Sequence, residues 1–95
     1  MIKDFADKDT EQLWRRRPVR SMSVKLQQQA RRKLNMIHAA ENLQDLRSPP
    51  GNRLEALSGN RKGQYSVRIN NQFRVCFRWE DGDAYELEVT DYHYV

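Results

Sequence analysis

The last residues of this 95-residue chain include three side chains that can accept or donate protons. Asp91 is an acceptor, Tyr92 is a phenol, and His93 is an imidazole, whose ordinary pKa of about 6.5 suits acid or base chemistry at neutral pH. Beside cationic side chains, these groups would suit RNA cleavage without a metal, in which a 2′-hydroxyl attacks the adjacent phosphate. The alternative interpretation is that they are ordinary residues of a frayed strand end.

Arginines are the candidate phosphate contacts. Arg68 and Arg74 fall in a β-rich region, and their guanidinium groups match phosphate oxygens in two-point geometry. They would stabilise the charge that develops on the phosphorane. Arg61 and Lys62 follow Gly59 on a predicted loop, where they could bind the RNA backbone.

Length and composition limit the other possibilities. Residues 1–95 predict one domain with a modest core. No apolar run approaches the ~18 residues of a membrane helix and no signal peptide is visible, so a non-secreted, cytoplasmic protein is expected. The single cysteine, Cys76, fits a reducing compartment and reads as a small filler rather than a nucleophile. Metal-ligand spacings are lacking, so no metal and no cofactor are expected.

Charge is distributed unevenly. Residues 1–79 hold all 17 Lys and Arg against seven acids, a balance of +10, whereas residues 80–95 hold six acids and neither Lys nor Arg. A basic surface of this kind suits a polyanion such as nucleic acid. A solvated basic helix would give the same counts.

Two helices are predicted in the N-terminal half, after a short strand at Ile2–Phe5. The first covers Thr10 to about Arg16, is capped by Asp9, and ends before Pro18 because a proline disfavours helical geometry in the preceding residue. The second runs from Ser23 to about Ala40. One apolar stripe recurs along it at three- and four-residue steps: Leu26, Ala30, Leu34, Ile37 and Ala40.

Beyond Pro49-Pro50-Gly51 the apolar period changes to two, which predicts antiparallel strands. A first strand alternates around Leu54 and Ala56. The three later strands carry their apolar residues at odd positions: Tyr65, Val67 and Ile69; Phe73, Val75, Phe77 and Trp79; Tyr85, Leu87 and Val89. The even positions therefore form an opposite, polar face.

This parity constrains the strand register, because directly opposed residues in an antiparallel pair share a face. A three-residue connection, Asn70–Gln72, aligns the apolar faces and pairs Ile69 with Phe73. Arg68 then lies opposite Arg74 on the polar face. Opposed like charges are unfavourable unless an anion joins them.

The same rule, applied to the connection Glu80–Ala84, predicts the last hairpin. Its predicted pairs are Trp79–Tyr85, Arg78–Glu86 as an ion pair, Phe77–Leu87, Val75–Val89 and Arg74–Thr90, with Tyr92 near Gln72. The expected result is an α+β domain in which the second helix covers the odd face. The even face presents the arginines beside the C-terminal strand.

Four segments resemble the HigB branch of the RelE/ParE toxin superfamily: residues 49–57, 63–70, 73–79 and the terminal Asp-Tyr-His of residues 91–93. The resemblance implies a microbial-ribonuclease-like (RelE-like) fold, with two N-terminal helices packed on a twisted antiparallel sheet. It implies a toxin of a type II toxin–antitoxin pair that cuts mRNA in the ribosomal A site. The implied partners are a HigA-like helix-turn-helix antitoxin, the ribosome and mRNA, with DNA contacted only through the antitoxin.

The resemblance also assigns site residues. Residues 91–93 match the C-terminal active-site triplet of the branch, and Arg68 and Arg74 match its sheet arginines. Glu55 stands where some members carry a histidine, so Glu55 could be the base with His93 as the acid. The alternatives are that Glu55 is a surface residue, or that Asp91 and His93 suffice because the ribosome positions the mRNA.

Two other hypotheses remain. The superfamily also contains ParE-type proteins that poison DNA gyrase without being enzymes, and the basic segment Arg15–Lys33 could hold a protein or DNA partner. In that case the terminal triplet would be dispensable. The blander alternative is a toxin remnant that acts only in co-repression with its antitoxin.

Overall fold

The structure, a computed structural model, describes residues 1–92. Two helices, α1 (Lys8–Trp14) and α2 (Val24–Ala39), precede the strands β1 (Glu55–Ala56), β2 (Tyr65–Arg68), β3 (Phe73–Glu80) and β4 (Asp83–Asp91). The strands form one antiparallel sheet in the order β1-β2-β3-β4. The predicted α+β class is confirmed. Within residues 1–92, the helices lack the length and apolar character that a membrane span needs.

Both helices begin where a side chain caps their free N–H groups. Asp7, rather than the predicted Asp9, accepts a hydrogen bond from the Thr10 N–H, so α1 begins two residues earlier than expected. The predicted start of α2 at Ser23 is correct to within one residue, and Ser23 caps the helix with its Oγ 3.1 Å from the Leu26 nitrogen. The caps therefore fix the start of each helix.

The core lies between α2 and the odd-numbered face of the sheet, as the parity predicts. Fully buried side chains come from both layers: Leu13, Ala30, Leu34 and Ile37 from the helices, and Val67, Val75, Phe77 and Leu87 from the strands. Burying one side chain of the larger kind contributes about 1.5–3 kcal/mol. Because α2 packs on the odd-numbered face of the sheet, the even-numbered polar face is on the side away from this helix.

The predicted connection between β2 and β3 is confirmed. Arg68 pairs with Arg74, so the two arginines lie directly opposite each other. Within the turn, Asn70 Oδ1 accepts a hydrogen bond from the Phe73 N–H (2.9 Å), and the Asn70 amide donates to Gln29 Oε1 (2.9 Å). The turn is thereby fastened to α2.

The predicted register of β3 with β4 is correct at one end and wrong at the other. Val75 pairs with Val89 and Arg74 with Thr90 as predicted, but Arg78 pairs with Tyr85, Trp79 with Ala84 and Glu80 with Asp83. The connection is a two-residue turn, Asp81-Gly82, with φ values of 51° and 84°. An Asp-Gly turn of this kind follows the twist of a hairpin closely.

A β-bulge at Glu86 reconciles this turn with the odd-numbered face. Glu86 has a φ of 55°, and the register shifts opposite it between Cys76 and Arg78. The predicted ion pair between Arg78 and Glu86 is wrong, because Arg78 pairs with Glu80 instead. The bulge moves Glu86 out of the position opposite Arg78.

The predicted N-terminal strand is only partly formed. Ile2 and Phe5 make isolated parallel bridges to Ala84 and Leu87 of β4. Between them, Asp4 Oδ1 accepts a hydrogen bond from the Glu86 N–H at 2.6 Å. The N-terminal segment therefore caps the bulge.

Candidate functional site

Arg68 and Arg74 form the centre of the polar face. The Arg74 side chain is buried, at 4% exposure, and its Nε has no hydrogen-bond partner among the described residues. Arg68 Nε donates to the Asn70 carbonyl (3.0 Å) and its Nη2 to Asn71 Oδ1. Within residues 1–92, no carboxylate makes an ion pair with either arginine. Two opposed cations that form no ion pair favour the binding of an anion.

Tyr92 lies on this arginine pair. Its ring is 5.0 Å from the Arg74 guanidinium carbon, a cation–π distance, and its N–H donates to the Gln72 carbonyl at 2.8 Å. The predicted proximity of Tyr92 and Gln72 is confirmed. Burial raises the pKa of Tyr92, and the Glu55 carboxylate raises it further, against the opposing effect of Arg74 and Arg68. The phenol therefore keeps its proton at neutral pH and can donate it in a hydrogen bond.

A cleft of about 290 Å³ opens beside these groups. It is lined by Arg53, Glu55, Arg68, Asn71 and Tyr92. A neighbouring hollow of about 280 Å³ has Glu55, Arg61 and Arg74 among its lining residues. Glu55 thus contributes a carboxylate to both spaces, between cations on either side.

Glu55 reaches this position through β1. It pairs with Ser66 of β2, and its exposed side chain faces the arginines. The structure thereby brings together Glu55, Arg68, Arg74 and Tyr92, four of the residues singled out from the sequence.

Asp91 lies apart from the cleft. It pairs with Phe73 and is on the same side of β4 as Val89, whereas Tyr92 lies over Arg74 on the other side. Gln72 Nε2 donates to Asp91 Oδ2 at 2.9 Å. His93, the third member of the predicted triplet, lies outside the described residues.

The two loop cations have different environments. Arg61 is held against the sheet by an ion pair with Glu88 (3.1 Å) and by a hydrogen bond to Gln64 (3.0 Å). Lys62 is exposed on the following turn. Arg61 is therefore a fixed part of the polar surface, and Lys62 is the more accessible of the two.

Cys76 lies on the same face but is buried and pairs with Ser66, as expected of a filler. Burial raises the pKa of its thiol, which keeps it protonated and unreactive. Among residues 1–92, no group of three or more His, Cys, Asp or Glu side chains could hold a metal ion.

Another hollow, of about 450 Å³, lies between the start of α2 and the β2–β3 turn. Among the described residues, Lys25 is the only titratable group in its lining, so it offers no acid–base pair. The smaller arginine-lined cleft is the better candidate for chemistry.

Sequence reasoning missed two residues of the cleft, Arg53 and Asn71. Arg53 was expected on a strand and Asn71 in a plain turn. One signal was present for Arg53, because it precedes Glu55 by two positions and would share its side of an extended segment.

Comparison with known proteins gives a consistent result. The family model described as HigB-like toxin, "RelE-like toxin of type II toxin-antitoxin system HigB", matches residues 3–93. Toxin HigB-1 of Vibrio cholerae serotype O1 is 48% identical over 63 residues, which cover 66% of this chain and 66% of that protein. Endoribonuclease HigB of Proteus vulgaris is 39% identical over 41 residues, or 43% of this chain and 45% of that relative. The matched stretch thus spans just under two thirds of the Vibrio cholerae toxin and under half of the Proteus vulgaris endoribonuclease.

The fold has a counterpart among solved structures. A chain of the YoeB-YefM complex from Staphylococcus aureus superimposes with a TM-score of 0.58, covering 99% of both chains at 18% sequence identity. At this identity the similarity concerns the fold alone.

Proposed function

Because the chain belongs to the HigB-like family of RelE-like type II toxins, we propose that it is an endoribonuclease that cleaves mRNA on the ribosome. A relative named Endoribonuclease HigB supports the activity. The observation that carries the proposal is the directly opposed pair Arg68 and Arg74, which makes no ion pair with a carboxylate of residues 1–92 and borders the space that Glu55 lines. RNA phosphate is the anion that this pair would bind.

The arginines would act on the transition state. As the 2′-hydroxyl attacks, negative charge accumulates on the phosphorane oxygens, and Arg68 and Arg74 would stabilise it. Removing one such preorganised donor typically costs about 10²–10³ in rate. Since Arg74 is buried and Arg68 is held by the β2–β3 turn, little reorganisation would be needed.

For the general base we propose Glu55, whose carboxylate lines the same cleft as Arg68 and Tyr92. His93 would be the acid that protonates the leaving 5′-oxygen, as the resemblance of the terminal triplet implies. Asp91 would position the C-terminal residues, since its carboxylate accepts a hydrogen bond from Gln72 on the side of β4 away from the cleft. Acid, base and cations are then all supplied by the chain itself.

Tyr92 would contact the RNA base or donate a hydrogen bond. Its ring lies against Arg74, and its phenol stays protonated because burial raises its pKa. Stacking of a base on an aromatic ring contributes about 1–3 kcal/mol and tolerates different bases. Arg61 and the exposed Lys62 would bind the flanking backbone.

We propose that the ribosome supplies the remaining positioning. Glu55 and Arg53 are exposed at the surface of the protein, where mRNA bound in the ribosomal A site could reach them. Holding the reacting groups in the orientation that the reaction needs can lower the activation barrier by about 7–11 kcal/mol. The whole chain, residues 1–95, would act as one domain in the cytoplasm, neutralised by a HigA-like helix-turn-helix antitoxin, with DNA contacted only through that antitoxin.

Induced expression of the chain tests the proposal. We expect growth arrest and cleavage of mRNA within translated reading frames, and we expect Arg74→Ala and His93→Ala to abolish both. Arrest with intact mRNA and with DNA breaks would instead favour the ParE-like alternative of gyrase inhibition. Undiminished cleavage in both variants would refute the site.

A further inference from the structure

Arg53 has a strained backbone at the edge of the cleft. Among residues 1–92, four non-glycine residues have positive φ: Arg16, Arg53, Asp81 and Glu86. Asp81 forms the hairpin turn, Glu86 forms the bulge and Arg16 follows the end of α1. Arg53, with φ 45° and ψ 56°, is the one of the four that lines the cleft. Left-handed geometry at a residue with a Cβ is costly, and such strain is often found at functional sites.

The preceding residue holds Arg53 in this geometry. Asn52 is fully buried, and its amide donates to the carbonyl oxygens of Leu46 and Ser48, both at 3.3 Å. Lys33 of α2 donates to Asn52 Oδ1 at 2.6 Å. Because these contacts fix Asn52 from three directions, the chain cannot relax at the next residue.

Arg53 borders the same cleft as Arg68. It precedes the paired residues of β1, which are Glu55 and Ala56, and its left-handed backbone sets its direction. Arg53 and Arg68 both line the cleft of about 290 Å³, and Arg68 pairs directly with Arg74, which lines the neighbouring hollow. The three arginines are therefore grouped around these two spaces.

Neighbouring cations repel one another, and an anion bound between them relieves that repulsion. Within residues 1–92, Arg53 makes no ion pair with a carboxylate. Its positive charge also opposes the rise in the pKa of Tyr92, so its field reaches the residue that covers Arg74. The guanidinium of Arg53 is thus exposed, directed by a fixed backbone and electrostatically coupled to the site.

We propose that Arg53 is a third phosphate contact, which binds the scissile phosphate from the side of the cleft next to Arg68. This inference rests on the proposed ribonuclease activity. Arg68 and Arg74 are held by the sheet before substrate arrives, whereas Arg53 is exposed and enters from the segment before β1. Its role is therefore to close one side of the cleft around the bound phosphate.

The test uses Arg53→Gly, because glycine accepts left-handed geometry while removing the guanidinium. Arg16→Gly is the matched control, since Arg16 is also an exposed arginine with positive φ (62°) but lies outside the cleft lining. Single-turnover cleavage of mRNA is measured at saturating concentrations of programmed ribosomes, together with thermal unfolding of each purified variant.

Both glycine variants are expected to unfold at or above the wild-type temperature. Arg53→Gly should cleave about 10- to 100-fold more slowly, whereas Arg16→Gly should cleave at the wild-type rate and Arg53→Lys should recover part of the loss. Wild-type cleavage by Arg53→Gly, or an equal loss in Arg16→Gly, would overturn the inference alone. Absence of cleavage by the wild-type chain would overturn the proposed function, and this inference with it.

Discussion

Arg68 and Arg74 face each other directly across β2 and β3, and the guanidinium of Arg74 is buried beneath the ring of Tyr92. Opposed like charges destabilise a sheet by a few tenths of a kcal/mol to about 1 kcal/mol. A buried polar atom without a partner adds about 1–3 kcal/mol. The free protein therefore carries a local cost that a bound phosphate would remove.

Replacing Arg74 should separate stability from activity. Arg74→Leu removes the opposed charge and the unpaired Nε but loses the contact with Tyr92, so the free energy of unfolding should stay unchanged or rise by about 1 kcal/mol. RNA cleavage should fall at least ~100-fold. Urea unfolding and a cleavage assay measure the two effects.

The control is Arg78→Leu, which changes an exposed arginine of the same strand that is paired with Glu80. It should leave the cleavage rate unchanged. A large loss of stability in Arg74→Leu would contradict the interpretation of Arg74 as a strained phosphate contact.

The aromatic ring of Tyr92 should matter more for RNA cleavage than the ionisation of its hydroxyl. Because burial and Glu55 raise the pKa of its phenol, Tyr92 cannot act as a base at neutral pH. Tyr92→Phe should keep most of the cleavage rate, whereas Tyr92→Ala should lose at least ~10-fold through the lost stacking. Equal and severe losses in both variants would instead assign the hydroxyl a direct role.

The same pKa shift predicts how stability depends on pH. The folded chain holds the phenolic proton more tightly than the unfolded chain, whose tyrosine pKa is about 10. The contribution of Tyr92 is therefore complete below about pH 10 and is lost as the pH rises through the higher folded-state pKa. Urea titrations of wild type and Tyr92→Phe between about pH 9 and 11 should diverge above pH 10. Parallel curves would contradict the shift.

Asn52 should be one of the most sensitive positions for stability. Asn52→Ala leaves the carbonyl oxygens of Leu46 and Ser48 without their donor, and Lys33 without its acceptor. The expected loss is about 2–4 kcal/mol in the free energy of unfolding, from unpaired groups and a cavity. Asn60→Ala on the exposed loop is the control and should cost little. A loss below about 1 kcal/mol would show that Asn52 does not hold this segment.

The bulge at Glu86 should depend on Asp4. Asp4→Ala removes the acceptor for the Glu86 N–H and should lower the free energy of unfolding by about 1 kcal/mol. Asp4→Asn keeps an acceptor oxygen and should recover most of that loss. Identical thermal unfolding of all three proteins would mean that the bulge needs no cap from the N-terminal segment.

The sheet illustrates how far sequence patterns reach. Odd-numbered apolar positions were enough to place Arg68 opposite Arg74, because β2 and β3 pair without irregularity. The same rule failed between β3 and β4. There the two-residue Asp81-Gly82 turn sets one register, and the odd-numbered apolar positions further along the strands require another. A bulge at Glu86 satisfies both, and its position depends on the contact with Asp4, which no local pattern specifies.

The site was predictable to a similar degree. Residue type and parity selected Arg68, Arg74 and Tyr92, and the family resemblance added Glu55; the structure brings these four residues together. Arg53 was missed because its direction depends on a left-handed backbone, held by a hydrogen bond between side chains 19 residues apart in sequence. Asp91 and Tyr92 are neighbours in sequence, but consecutive strand residues point to opposite faces. Asp91 therefore lies on the side of β4 away from Tyr92.

Cleavage in a reconstituted translation system tests the central claim most directly. Programmed ribosomes would carry an mRNA with either the normal 2′-hydroxyl or a 2′-deoxy substitution at the cleavage site, treated with wild-type protein or Arg74→Leu. We predict cleavage with a 2′,3′-cyclic phosphate end only for wild-type protein on the 2′-hydroxyl mRNA. Cleavage of the 2′-deoxy mRNA, or undiminished cleavage by Arg74→Leu, would contradict the proposed site and mechanism.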